Sequence, residues 1–247
     1  MNRAVQAVVL LLFGGMLGRL GLSDTFLRYV KPSLLPWLML TSVLLLLLGV
    51  TALIDVVRAN GSSTADGAGE AAMDSDPTSA HDHGDHEHSG PRIAWLLLLP
   101  VMAVFAIAPP ALGAFAAQRT PAVVTPPASA APPLPAGDPV PVALNDFAAR
   151  AVWDAGRTLV NRNVTMTGFV TPTSGGWDLT RLTLTCCAAD AIPTRIKPLG
   201  VKSLPADTWV TVVGHWVPGG GLNSESAIPW LQVTSLAQVK QPTNPYE

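Results

Sequence analysis

The sequence has little charge, few cysteines and no basic region. Charged residues make up 13% of its 247 residues, about half the share found in a typical soluble domain. The formal net charge of −2 excludes the positive field that attracts nucleic acids. The chain also lacks a Ser-His-Asp order, a paired-carboxylate pattern and a glycine-rich phosphate loop. We therefore expect neither a nucleic-acid partner nor enzyme activity.

The sequence contains three long apolar runs. They cover residues 4–22, 33–54 and 93–117, and the last two runs carry no charged residue. A helix of 22 residues, the length of the second run, spans about 33 Å, enough to cross the hydrocarbon core of a bilayer. We predict three transmembrane helices, two within residues 1–54 and the third at 93–117. A cleaved signal peptide is an alternative for the first run, but its exit lacks an A-x-A-like site.

Two polar segments separate these runs from the rest of the chain. Residues 55–92 are rich in Gly, Ser, Ala and Asp without apolar periodicity, which predicts a disordered loop. Residues 118–141 form a Pro/Ala-rich linker with eight prolines between positions 121 and 141. This composition is typical of an extended spacer, which here would reach roughly 60 Å from the membrane.

Residues 142–247 have the pattern of a small folded domain. Residues 144–159 suit a helix with Asn145 as its cap. Five short β-branched segments follow, separated by turn residues. Gly168 and Gly214 stand in mid-strand, as glycines do where a sheet bends to close a barrel. We predict a soluble all-β, OB-like small barrel with one helix, and a sandwich is the alternative.

Several motifs carry a resemblance to a known family. They are "DTFLRYVKPSLLPWLM" before the second apolar run, "TRLTLTCCAADAIP", "TWVTVVGHWVP" and the final "NPYE". In these the chain resembles the YcgQ-like group of bacterial membrane proteins, which are described as subunits of a two-component permease. The resemblance implies a polytopic permease subunit as partner and leaves the substrate open.

Cys186 and Cys187 are the only cysteines, and they are neighbours. In a continuous strand their side chains point to opposite faces, with Cys186 on the apolar side beside Leu182 and Leu184. Adjacent Cα atoms, about 3.8 Å apart, are too close for a regular disulfide.

A metal site is one interpretation of this stretch. In a regular strand the two cysteines can hardly bind one ion together, so Cys187 with Asp190 and His215 is the easier set for zinc or another divalent transition metal, and Cys186 is a further candidate. The other interpretation is that the cysteines are small core residues and His215 is a surface residue.

Four of the five histidines lie in the loop "HDHGDHEHSG" and alternate there with acidic residues. Imidazoles and carboxylates in a flexible loop bind divalent transition metals weakly, without one fixed geometry. A solvated acidic linker is the alternative. The candidate ligands are His81, His83, His86 and His88.

Together these patterns predict a multi-pass protein of the cell membrane. Its three spans hold no central ionisable residue and so offer no conduction path of their own. We expect an accessory subunit of a membrane permease complex that presents or gates a substrate, with a metal ion as a candidate. The alternative is a stand-alone metal-binding or metal-sensing membrane protein. The stalk-like linker favours an extracytoplasmic C-terminal domain, whereas the basic residues do not decide the orientation.

Overall fold

The computed structural model describes residues 3–62 and 110–247. The described chain divides into two compact units. The first contains residues up to Ser23 and the helix that begins at Leu35, and the second joins Asp24–Leu34 to Pro110–Glu247. The predicted histidine loop at 81–88 and residues 93–109 of the third predicted span lie outside the described residues.

In its described residues, the first unit contains two apolar helices, α1 (Arg3–Gly21) and α2 (Leu35–Ser62). Both are long and apolar enough to cross a membrane. Their contact face is built on small residues, because a Cβ on Gly14 would lie 2.9 Å from the Leu46 side chain. The Ser42 hydroxyl donates to the Gly14 carbonyl at 2.8 Å within the same interface.

Helix α2 is longer than its apolar run. It continues to Ser62, so the prediction that residues 55–92 begin a disordered loop is wrong for positions 55–62. Residues 55–58 are "DVVR", and none of these residue types stops a helix as Pro or Gly does. The helical ladder of hydrogen bonds therefore continues past the end of the apolar run.

The second unit contains a six-stranded mixed sheet and two helices. The sheet has the order β1-β2-β3-β4-β6-β5, and β2 also pairs with β5. All neighbours are antiparallel except β1 with β2 and β4 with β6. The strands are β1 (Val140–Pro141), β2 (Asn163–Thr173), β3 (Gly176–Thr183), β4 (Ile192–Leu199), β5 (Trp209–Val217) and β6 (Trp230–Gln238); the helices are α3 (Ala114–Arg119) and α4 (Leu144–Trp153).

The five predicted strands are confirmed as β2 to β6, and the predicted helix is confirmed in a shorter form. Helix α4 stops at Trp153, and the backbone then takes positive φ values at Ala155 and Gly156, which a right-handed helix does not allow. The predicted cap at Asn145 is wrong. The Glu247 carboxylate caps the helix by accepting hydrogen bonds from the backbone N–H groups of Leu144 and Asn145, at 3.0 and 3.1 Å.

The last residues of the third predicted span belong to the β domain. Helix α3 begins at Ala114, and its buried Ala114 and Ala117 pack against Phe169 and Trp209 of the sheet. A membrane span over 93–117 is therefore wrong for positions 110–117. Pro110 stands at the start of this described segment, and proline does not continue a helix.

The proline-rich linker packs on the β domain. Val124 and Leu134 are buried in its hydrophobic clusters. The linker's carbonyls accept hydrogen bonds from Trp153 Nε1 at 3.0 Å and from Arg150 at 2.7 Å. The expectation of a free spacer over 118–141 is therefore corrected. Backbone carbonyls of the linker accept hydrogen bonds from side chains of helix α4, and apolar side chains of the linker pack into the core of the β domain.

Candidate functional site

The two cysteines lie in a loop between strands. Strand β3 ends at Thr183 and β4 begins at Ile192, with a short 3-10 turn at Ala188–Asp190 between them. We call residues 184–191 the cysteine loop. Cys186 is exposed and Cys187 is half-buried. The expectation that a continuous strand turns Cys186 towards the apolar side is therefore wrong.

Asp190 organises this loop through its side chain. One carboxylate oxygen accepts from the Thr185 N–H at 3.0 Å. The other accepts from the Cys186 N–H at 2.7 Å and from the Cys187 N–H at 3.4 Å. The carboxylate thus satisfies three consecutive backbone donors, which a strand would have paired with a neighbouring strand. This capping redirects the chain at the first cysteine.

The loop brings the two sulfur atoms to the same side. Cys186 Sγ and Cys187 Sγ are 3.6 Å apart, well beyond the bond length of about 2.05 Å in a disulfide. The ligand atoms of Cys186, Cys187 and Asp190 all lie within 4.8 Å of one another. Two soft sulfur donors and one carboxylate are thereby gathered in one place.

The carboxylate and the thiol affect each other's proton affinity. The thiol of Cys186 is hydrogen-bonded to Asp190, and this bond is the largest cause that raises the Cys186 pKa to about 11. The same bond lowers the pKa of Asp190. Reactive catalytic thiols have lowered pKa values. Cys186 is therefore a poor nucleophile near neutral pH.

His215, the fourth predicted ligand, lies elsewhere. It sits on β5, where it is paired with Asn163 of β2 and Gln232 of β6. It lines an open groove together with Asn163 and Trp216. The cluster of ligand atoms in the cysteine loop does not include it. The sequence-predicted set is thus divided into a three-residue cluster and a separate histidine.

The loop also has a neighbour that the sequence did not indicate. Residues 24–34, which join α1 to α2 and which we call the connector, lie against it. Val30 stands opposite Cys187 as an antiparallel bridge. The hydroxyl of Tyr246 donates to the Arg28 carbonyl at 3.0 Å. The only sequence signal for Tyr246 was its place in the final "NPYE" motif.

Comparison with family models gives two matches that together cover most of the chain. Residues 5–120 match the DUF1980 N-terminal domain, and residues 151–247 match the DUF1980 C-terminal domain. The second match contains the cysteine loop. No curated protein and no solved structure matches the chain.

Proposed function

Because the chain belongs to the DUF1980 family, with an apolar helix pair in one unit and a β domain in the other, we propose that it is a membrane-anchored accessory subunit of a permease complex. In this proposal it captures a thiophilic divalent metal ion, zinc by its ligand set, and presents that ion to the permease. The observation that carries the proposal is the gathering of Cys186, Cys187 and Asp190 ligand atoms within 4.8 Å.

The sulfur separation supports a chelating role. Two thiolates on one tetrahedral zinc, each about 2.3 Å from the ion, lie about 3.8 Å apart. The two sulfur atoms are 3.6 Å apart before any ion binds. The two sulfur atoms therefore need little movement to bind one ion, and the thiol protons leave as the ion enters.

The exposure of the site supports transfer of the ion. Structural zinc sites use four protein ligands and are closed, whereas three protein ligands leave a position open. The cluster offers three ligands, and Cys186 is exposed. An incoming ligand from a partner can occupy the open position and take the ion. Such a site suits delivery better than it suits scaffolding.

The position of the connector in the second unit supports the proposal of a third membrane crossing. The connector and the β domain belong to one compact unit, so they lie on the same side of a bilayer that α1 and α2 both cross. The C-terminal end of α2, at Ser62, then lies on the opposite side, and in this proposal the chain crosses once more before Pro110. The apolar residues 93–109 are the segment able to do so. With the N-terminus inside, the β domain is extracytoplasmic and the histidine loop is cytoplasmic.

The strand pairing supports an OB-like barrel. The ring β2-β3-β4-β6-β5 returns to β2, and its one parallel pair is β4 with β6. A closed five-stranded ring of this kind is the architecture of the OB fold. The cysteine loop joins the second and third strands of that ring. It therefore stands at one end of the barrel, where loops can meet a partner.

Cobalt titration of the full chain in detergent tests the capture site, because thiolate-bound Co²⁺ reports its ligands by charge-transfer absorption. We expect about one Co²⁺ per chain with this band, and zinc should displace it. The Cys186→Ser/Cys187→Ser variant should lose the band, and the His215→Ala control should keep it. A band that survives loss of both cysteines, or is absent from the native chain, contradicts the proposal.

Gentle purification with mass spectrometry of the copurifying proteins tests the permease part. A stoichiometric polytopic partner supports the subunit role. Recovery of this chain alone, with metal bound, supports the rival function of a stand-alone metal-binding or metal-sensing membrane protein. In that case the histidines at 81, 83, 86 and 88 become the next residues to replace.

A further inference from the structure

Backbone hydrogen bonds join the connector directly to the ligand residues. The Lys31 N–H donates to the Cys186 carbonyl at 3.1 Å, and the Ala188 N–H donates to the Tyr29 carbonyl at 2.7 Å. These two bonds flank the pair formed by Val30 and Cys187. Residues 29–31, between the two 3-10 turns of the connector, therefore lie along the cysteine loop, and both cysteines lie within the bonded stretch.

A second anchor holds the other end of the connector. Tyr246 is buried, with 4% of its surface exposed. Its hydroxyl donates to the Arg28 carbonyl at 3.0 Å and accepts from the Leu112 N–H at 3.0 Å. One side chain thus holds the connector and the segment just after Pro110. The two anchors leave little freedom to the connector while it is docked.

The connector is also covalently continuous with both apolar helices. Helix α1 ends at Gly21, and a 3-10 turn at Pro32–Leu34 leads directly into α2 at Leu35. The cysteine loop is thus hydrogen-bonded to a segment that continues covalently into both helices.

We infer that metal occupancy of the cysteine loop is coupled to docking of the connector. This inference rests on the proposed function of the same site. Docking fixes the backbone at Cys186 and Cys187, which keeps the two sulfurs at a chelating distance. Binding an ion holds the same two residues through their sulfur atoms. Each event therefore favours the other, and by linkage the coupling is equal in both directions.

Through this coupling, the state of the connector would report to the permease complex whether the cysteine loop holds an ion. A loaded site holds the connector docked, and an empty site lets it exchange between docked and released forms. Coupling energies in proteins commonly change affinity by about 5- to 150-fold. Loss of one anchoring hydroxyl should have an effect near the lower end of that range.

Hydrogen exchange with mass spectrometry on the full chain in detergent, with and without Co²⁺, tests the inference. We expect Co²⁺ to slow exchange in the peptides covering 24–34 and 184–191, with no slowing in the Cys186→Ser/Cys187→Ser variant. Tyr246→Phe leaves the ligand set intact but removes the anchor, so Co²⁺ binding should weaken by about fivefold. If this variant unfolds, the exchange comparison on the native chain decides by itself.

The outcomes separate this inference from the proposed function. A thiolate–cobalt band without any change of exchange in 24–34, or unchanged affinity in folded Tyr246→Phe, overturns the inference and leaves the capture site standing. Absence of the thiolate–cobalt band in the native chain overturns the capture site and, with it, the coupling.

Discussion

Replacing Asp190 by Asn tests the electrostatic account of the cysteine loop most sharply. In the native loop the Asp190 carboxylate stabilises the protonated thiol of Cys186. Its hydrogen bond is the largest cause that raises this pKa from 9.0 to about 11. The amide of Asn carries no charge, so the Cys186 pKa should fall towards 9.0. The measurement uses the Cys187→Ser background, in which a single thiol is read.

The expected size follows from that shift. Cys187 is the second cause of the raised pKa and is absent from this background, so the fall due to Asp190 is smaller than the full two units. A fall of about one unit raises the thiolate fraction near neutral pH by about tenfold. A less basic thiolate is a weaker nucleophile, which offsets this gain by about threefold. The alkylation rate with iodoacetamide at pH 7.5 should therefore rise by about threefold, and a pH profile of the rate should move its inflection down by about one unit.

A matched control removes a carboxylate at a distance from the loop. Glu225 is exposed and its side chain has no part in the cysteine loop, so Glu225→Gln should leave the alkylation rate unchanged. The reasoning is refuted if Asp190→Asn changes the rate by less than twofold. It is also refuted if Cys186 already titrates at or below 9.0 with Asp190 present.

Three further predictions concern the fold. Gly214→Ala should lower the stability of the β domain by roughly 1–3 kcal/mol in thermal melts, because its Cβ would lie 2.3 Å from a backbone oxygen, whereas Gly175→Ala meets only ordinary contacts. Gly14→Val should weaken α1–α2 packing in detergent melts of helicity, while Gly15→Val, with nothing within 4 Å of its Cβ, should not. Burial raises the pKa of Asp178, so the folded chain binds a proton there more readily than the unfolded chain does. The free energy of unfolding should therefore increase as the pH falls from 7 through that raised pKa, and Asp178→Asn should remove this increase. A free energy of unfolding that does not change with pH in the native chain contradicts this prediction.

Periodicity in the sequence was enough to predict the strands of the β domain. Each segment alternates apolar and polar residues and ends at turn residues, and this information is local. The same alternation continues through "LTLTCC" and extends the predicted strand too far. What ends the strand is the Asp190 side chain, which bonds backwards to three N–H groups. A capping interaction of this kind leaves no trace in the periodicity.

Contacts between distant parts of the chain were beyond the reach of the sequence. The connector precedes α2, so nothing local relates Val30 to Cys187. The Pro/Ala-rich composition indicated a spacer, yet Val124 and Leu134 are buried on the β domain. Composition reports what a segment does in isolation. It does not report that a neighbouring domain offers a surface for the few apolar residues of that segment.

The most direct test of the capture site is X-ray absorption spectroscopy on the full chain loaded with one equivalent of zinc. Binding at Cys186, Cys187 and Asp190 predicts two sulfur scatterers per zinc at about 2.3 Å, with the remaining ligands oxygen or nitrogen at about 2.0 Å. The Cys186→Ser/Cys187→Ser variant should lose the sulfur shell. A native spectrum with nitrogen and oxygen ligands only would contradict the account.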